Sequence, residues 1–169
     1  EQIRKLLLAG ADKVAINSIT YHDPKLITEA SRSFGSQCIV ASIDAKRLAE
    51  GKYECFSHSG KRPTGKEPGA WARELEELGA GEILITSIEK DGAMEGYDIE
   101  LIRQVTDNVS IPVIASGGAG DYEDMFKALE FGKSSAVAAA SIFHFTERTP
   151  VEAKGFLSGK GIPVRNLNT

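Results

Sequence analysis

A carboxylate closing an apolar run, a glycine-rich turn and a small hydroxyl are the groups in this sequence best suited to chemistry. Asp44 ends the run Gln37-Cys38-Ile39-Val40-Ala41-Ser42-Ile43-Asp44. At the end of a buried strand it is either a solvated terminus or a general acid/base facing a ligand. Ser116-Gly117-Gly118-Ala119-Gly120 follows a second apolar run. Glycines there let backbone N–H groups approach an anion, and a helix start adds a positive dipole end. A tight strand-to-helix turn accounts for the same glycines. Ala140-Ser141 ends the next apolar run. In α/β barrels the last two loops commonly hold a phosphate, so the two turns together favour an anion site. Asp91-Gly92 opens another loop, either as a ligand-facing carboxylate with a close-approach glycine or as turn formers. The stretch 52–65 reads as a small inserted hairpin with Lys61 and Arg62 at its tip. It is a solvated turn, or a lid whose cations meet an anionic ligand. His58 and His144 have no partner at metal-ligand spacing, so no metal site is expected.

The elements that must position these groups alternate. Apolar runs at 13–18, 37–44, 82–88, 112–116 and 136–141 read as strands. Between them lie amphipathic stretches: Asp23-Pro24 to Gly35 with Asp23 as cap, 68–78, 98–109 and 121–131, and a last helix from Thr149-Pro150 to about Gly159. A helical pattern at 1–8, stopped by Gly10, precedes them. Strands without polar alternation, each followed by a helix, imply a parallel sheet covered by helices. A doubly wound sheet and a (β/α) barrel both fit, and both bind ligands beyond the carboxyl ends of the strands. Asn17-Ser18, Asp44, Thr86-Ser87, Ser116-Gly117-Gly118 and Ser141 collect at those ends. Val14–Ile19 also matches Val137–Ile142 at four of six positions, 123 residues apart. That is the spacing of a barrel made of two similar halves, or a chance match of short apolar runs.

Composition narrows the function classes. A chain of 169 residues is long enough for one well-cored domain. A net charge of −4 gives no electrostatic footprint for nucleic acid or an anionic membrane. No run approaches a spanning helix and nothing at the start resembles a signal peptide, which points to the cytosol. The two cysteines form no framework, and Cys38, inside an apolar run, reads as a buried inert thiol.

Taken together the motifs resemble one family. Gly10-Ala11-Asp12-Lys13-Val14, Ser42-Ile43-Asp44-Ala45-Lys46, Ser59-Gly60-Lys61, Gly79-Ala80-Gly81-Glu82, Asp91-Gly92 with Gly96-Tyr97-Asp98, Ile114 to Gly120 and Ala139 to His144 are similar to the cyclase subunits of imidazole glycerol phosphate synthase. The similarity runs from Glu1 to about Arg165. The sister isomerase shares the barrel but does not usually carry Gly-Tyr-Asp or Gly-Gly-Ala-Gly at these places. The resemblance implies a (β/α)₈ TIM barrel without a cofactor, partnered by a glutaminase. Ammonia from that partner crosses the barrel and attacks a bis-phosphorylated formimino ribotide, giving imidazole glycerol phosphate and an aminoimidazole carboxamide ribotide. By the same resemblance Asp44 is a catalytic acid/base, and Asn17 and Ser18 hold one phosphate. Thr86, Gly92, Gly118, Ala140 and Ser141 surround the other, with Ser116 and Gly117 beside it and Asp91 facing the substrate. Lys13 and Glu82 gate the ammonia entrance as neighbours on adjacent strands, and Asp12 and Gln37 meet the glutaminase.

Residues 1–169 then read as a single partial barrel domain, from the third helix through the eighth βα unit. The first three strands would be absent, and with them a second catalytic aspartate. Glu89-Lys90 stands where Asp-Arg is usual, and Ala93 where Thr is usual. Arg-to-Lys keeps the cation and loses the planar fork. With the segment from Phe145 to Lys154, these departures leave a second expectation, a barrel that passes ammonia to a nucleotide sugar for surface polysaccharide. A non-catalytic phosphate-binding barrel is a third.

Overall fold

The computed structural model describes residues 1–165. In chain order the elements are α1 (Gln2–Leu8), β1 (Val14–Ile16), α2 (Lys25–Phe34), β2 (Ile39–Ala49), β3 (Lys52–Ser57), β4 (Arg62–Pro63), α3 (Pro68–Glu77), β5 (Glu82–Ser87), α4 (Ile99–Thr106), β6 (Val113–Ser116), α5 (Tyr122–Glu130), β7 (Ala136–Ala138), α6 (Ser141–Phe145) and α7 (Pro150–Gly159). Three of the four helix starts marked by Asp or Thr in the sequence carry side-chain caps. Asp98 accepts from Leu101 N–H, and Asp121 and Thr149 form reciprocal capping boxes with Asp124 and Glu152. Asp23 is the exception: α2 begins after Pro24 without a side-chain cap.

The parallel strands lie in chain order, β1-β2-β5-β6-β7. A doubly wound sheet requires a reversal of order, and there is none here. The fold is an open arc of a (β/α) barrel. One face of the arc is packed shut: Ile39, Ala41, Ile43, Ile83, Ile85, Val113 and Ala115 are buried against Ile27, Trp71, Leu75, Leu101, Val105 and Met125 of the helices. Each fully buried aliphatic of this kind contributes about 1.5–3 kcal/mol relative to exposure.

The alternate residues form the concave face, and the ladder puts them in transverse rows. Val40 lies beside Glu82 at the amino end; Ser42, Leu84, Ile114 and Ala136 form the middle. Asp44, Thr86, Ser116 and Ala138 form the row at the carboxyl end.

Two boundaries depart from the sequence reading. β2 does not stop at Asp44 but runs on to Ala49, because its last residues pair antiparallel with β3. The hairpin expected at the tip is present as β3–β4, so the insertion is a three-stranded extension of the sheet. In addition, β7 ends at Ala138 and Ser141 opens α6, a short helix that the apolar run 136–141 concealed. The buried thiol is Cys55 rather than Cys38, which is half-buried in the turn before β2. Burial pushes the Cys55 thiol up to about 12, so it is inert near neutrality.

Candidate active site at the carboxyl ends of the strands

Asp44 occupies the polar row on the second parallel strand. Its carboxyl is held above the ordinary carboxylate range: burial is the main cause, the nearby charge of Asp91 adds to it, and the Asn17 amide offsets part of it. The structure thus brings Asp44, Asn17 and Asp91 together from the ends of three different strands. Asn17 stands close to the Asp44 carboxyl, and its buried amide oxygen has no hydrogen-bond partner. Ser18 Oγ accepts the His58 N–H at 2.8 Å, which leaves the hydroxyl proton free to donate to an anion.

At the far end of the row the turns after β6 and β7 border one cavity of about 140 Å³. Asp91, Gly92, Ser116, Gly117, Gly118, Ala140 and Ser141, all singled out in the sequence, line it. Thr86 stands beside Ser116 in the ladder, one strand away. The glycines have a further cause that the sequence did not reveal. Gly117 and Gly118 have φ of +87° and +115°, and a Cβ on Gly118 would lie 2.2 Å from the Gly96 carbonyl oxygen. A Cβ on Gly120 would lie 2.1 Å from the Met94 carbonyl oxygen. The loop after β5 packs where those side chains would be, so glycine is required by the wall of the cavity as well as by any anion within it.

That loop is stitched to both turns. Gly96 N–H donates to the Gly118 carbonyl at 2.7 Å, and the buried Tyr97 hydroxyl donates to the Ala138 carbonyl at 2.9 Å. Gly96 and Tyr97 were visible in the sequence only as part of a motif; nothing in their spacing announced that they hold the cavity closed.

The short repeat has a structural counterpart. Asn17 caps a single helical turn opening at Ser18, with φ −122° and ψ −103°; Ala140 caps α6, opening at Ser141, with φ −128° and ψ −62°. Each strand of the matching pair therefore delivers a serine and the opening of a short helical turn to the same end of the arc.

The amino end holds a different group. Lys13 Nζ forms an ion pair with Glu82. Their strands are not adjacent as expected: β2 lies between β1 and β5, and the pair reaches across it. Asp12 and Gln37 are exposed, each just ahead of a strand at this end. Among the described residues no group of three or more His, Cys, Asp and Glu could hold a metal ion, and no helix is long and apolar enough to cross a membrane.

Comparison with protein families decides the relationship. The family described as "Histidine biosynthesis protein" matches residues 1–149. The chain belongs to that family. Its members include the isomerase and the cyclase of histidine biosynthesis, which accounts for the singly wound arc with its polar residues gathered at the carboxyl end.

Proposed function

We infer that this chain is part of a cyclase subunit of imidazole glycerol phosphate synthase, acting within a complete barrel. The observation that carries the reading is the position of Asp44. It sits in the row between two equivalent strand ends, Ser18 on one side and the Gly117-Gly118 and Ala140-Ser141 turns on the other, with its proton affinity raised. A glycine-walled cavity on one side and the Ser18 hydroxyl on the other, with an acid/base between them, suit a substrate with a phosphate at each end. In this reading these two cradles fix the ends and do no bond-making. Asp44 takes a proton as ammonia adds to the substrate, and returns one as the imidazole ring closes and the ribotide leaves. Asp91 keeps the Asp44 carboxyl easy to protonate, and Thr86 and Ser116 border the reacting centre.

The concave face supports a route for the nitrogen donor. The charged pair Lys13–Glu82 stands at one end, Leu84, Ile114 and Ala136 with the single hydroxyl of Ser42 in the middle and Asp44 at the other. A middle without charged groups admits neutral ammonia more readily than ammonium. A glutaminase seated against Asp12 and Gln37 would deliver it there.

A second reading rests on Glu89-Lys90. Glu89 accepts the Arg47 backbone N–H at 3.3 Å and Lys90 contacts Glu95 at 3.4 Å, so neither supplies a bidentate arginine to the mouth. A different ammonia acceptor, a nucleotide sugar, fits that change. Supplying the complete enzyme with ammonium salt and each acceptor in turn separates the two. Imidazole glycerol phosphate from the ribotide supports the cyclase, whereas amidation of the sugar alone replaces it.

A further inference from the structure

Gly96-Tyr97-Asp98 faces two ways. Towards the cavity, Gly96 and Tyr97 hold the Gly118 and Ala138 carbonyls, one on each turn of the cradle. Asp98 turns towards the inserted hairpin. It accepts the Tyr53 hydroxyl at 2.8 Å, pairs with Arg47 at 3.2 Å and caps α4 through Leu101 N–H at 3.1 Å. The Arg47 guanidinium also meets Glu100 at 2.9 Å and lies over the Tyr53 ring, 4.8 Å from its centroid. Tyr53 is buried and the Asp98 side chain is only 8% exposed, so the bond between them is shielded from water, whereas Arg47 and Glu100 lie at the solvated rim of the node.

The hairpin that Tyr53 belongs to ends at the other cradle. His58, in the turn between β3 and β4, donates its N–H to Ser18. His58, Ser59 and Gly60 adopt φ of 54°, 57° and 74° in succession. Left-handed backbone at two non-glycine residues is costly and persists where the surroundings dictate it. Here the surroundings are Ser18 on one side and Ile88, 3.3 Å from the Gly60 Cβ position, on the other. A continuous path of hydrogen bonds and chain thus crosses the mouth, from the Ala138 carbonyl through Tyr97, Asp98, Tyr53 and β3 to Ser18.

The geometry points to Tyr97 as a positioning residue for the cradle, and to the Asp98–Arg47–Tyr53 node as the link by which an anion seated there tightens the hairpin over the mouth. The inference rests on the reading of the cradle as a phosphate site. The physical basis of the coupling is a single segment that both the cradle and the hairpin hold in place. An anion that orders the segment from one side makes the ordering needed on the other side less costly.

Inorganic phosphate is the probe, with its affinity measured by calorimetry and the hairpin followed by amide hydrogen exchange over residues 52–63. In the unmodified protein, saturating phosphate should slow exchange in the hairpin. Asp98→Asn retains a capping side chain and should bind phosphate within about twofold of the unmodified protein, yet lose the slowing, as one lost charge-assisted link implies. Arg47→Met, which keeps the aliphatic stem, should behave alike. Tyr97→Phe keeps the ring and should weaken phosphate binding about two- to tenfold, the usual worth of one hydrogen bond. Hairpin protection that survives in both Asp98→Asn and Arg47→Met would overturn the link, and unchanged affinity in Tyr97→Phe would overturn the positioning role. Phosphate that binds the unmodified protein without protecting the hairpin removes this inference alone. Phosphate that does not bind at all removes the anion-cradle reading and this inference with it.

Discussion

In the proposed reading Asp44 carries the chemistry because of what surrounds it, and its surroundings make opposite demands on stability and activity. Burial and Asp91 raise its proton affinity, so the charged carboxylate is disfavoured in the folded protein. A group with a raised folded pKa favours folding at low pH, and that contribution is lost as pH rises through the folded value. Above the ordinary carboxylate range Asp44 therefore opposes folding. Asp44→Asn should melt at the same temperature as the unmodified protein or higher at pH 7, with the difference fading below the ordinary carboxylate range; calorimetry across pH checks this. The rate profile should show the other side. The acid limb of kcat/KM should lie above the ordinary carboxylate range, and Asp91→Asn should move it to lower pH by removing the like charge. A limb that stays in place in Asp91→Asn would mean that the two carboxylates do not interact. In the sequence Asp44 was legible as a polar end to an apolar run. Its charge environment was not, because Asn17 and Asp91 come from strands far apart in the chain and meet only through the ladder.

At the scale of elements, the alternation of strands and helices was readable because buried parallel strands carry little polar alternation and the helix caps are strong local signals. What escaped reading were the places where pairing or a neighbour overrides the local pattern. β2 continues five residues past Asp44 because β3 supplies a partner for Ala45, Lys46, Arg47 and Ala49. α6 hides inside an apolar run, since residues 141–145 are as apolar as a strand. Ser116 to Gly120 was legible as a glycine turn, but half of its reason is the loop after β5 pressed against it. Gly118→Ala should accordingly cost about 2 kcal/mol or more, from the unfavourable φ together with the clash at Gly96. Denaturant unfolding measures that cost, and phosphate affinity should fall with it. A Gly118→Ala protein of unchanged stability would show that the loop yields easily and does not wall the cavity.

Across the whole molecule, the arc separates its two ends by chemistry: an ion pair and exposed polar groups at the amino ends, a largely apolar middle, and Asp44 with the glycine- and serine-bearing turns at the carboxyl ends. The order of strands settles the architecture where the sequence allowed two, since only the pairing shows that the order never reverses. The Lys13–Glu82 pair is partly exposed and should contribute no more than about 1 kcal/mol to stability. Glu82→Gln should therefore leave melting almost unchanged while altering glutamine-driven turnover more than ammonium-driven turnover. Equal effects on both would take this pair out of the nitrogen route. In the proposed reading Asp44 performs acid/base work on a substrate held by its two ends. The rate of imidazole glycerol phosphate formation by the complete enzyme, with ammonium salt as nitrogen source, tests this role in the unmodified protein and in Asp44→Asn. The kcat should fall roughly 10²–10⁴-fold with KM little changed, the signature of a lost general acid/base rather than lost binding. Near-normal turnover in Asp44→Asn would contradict it.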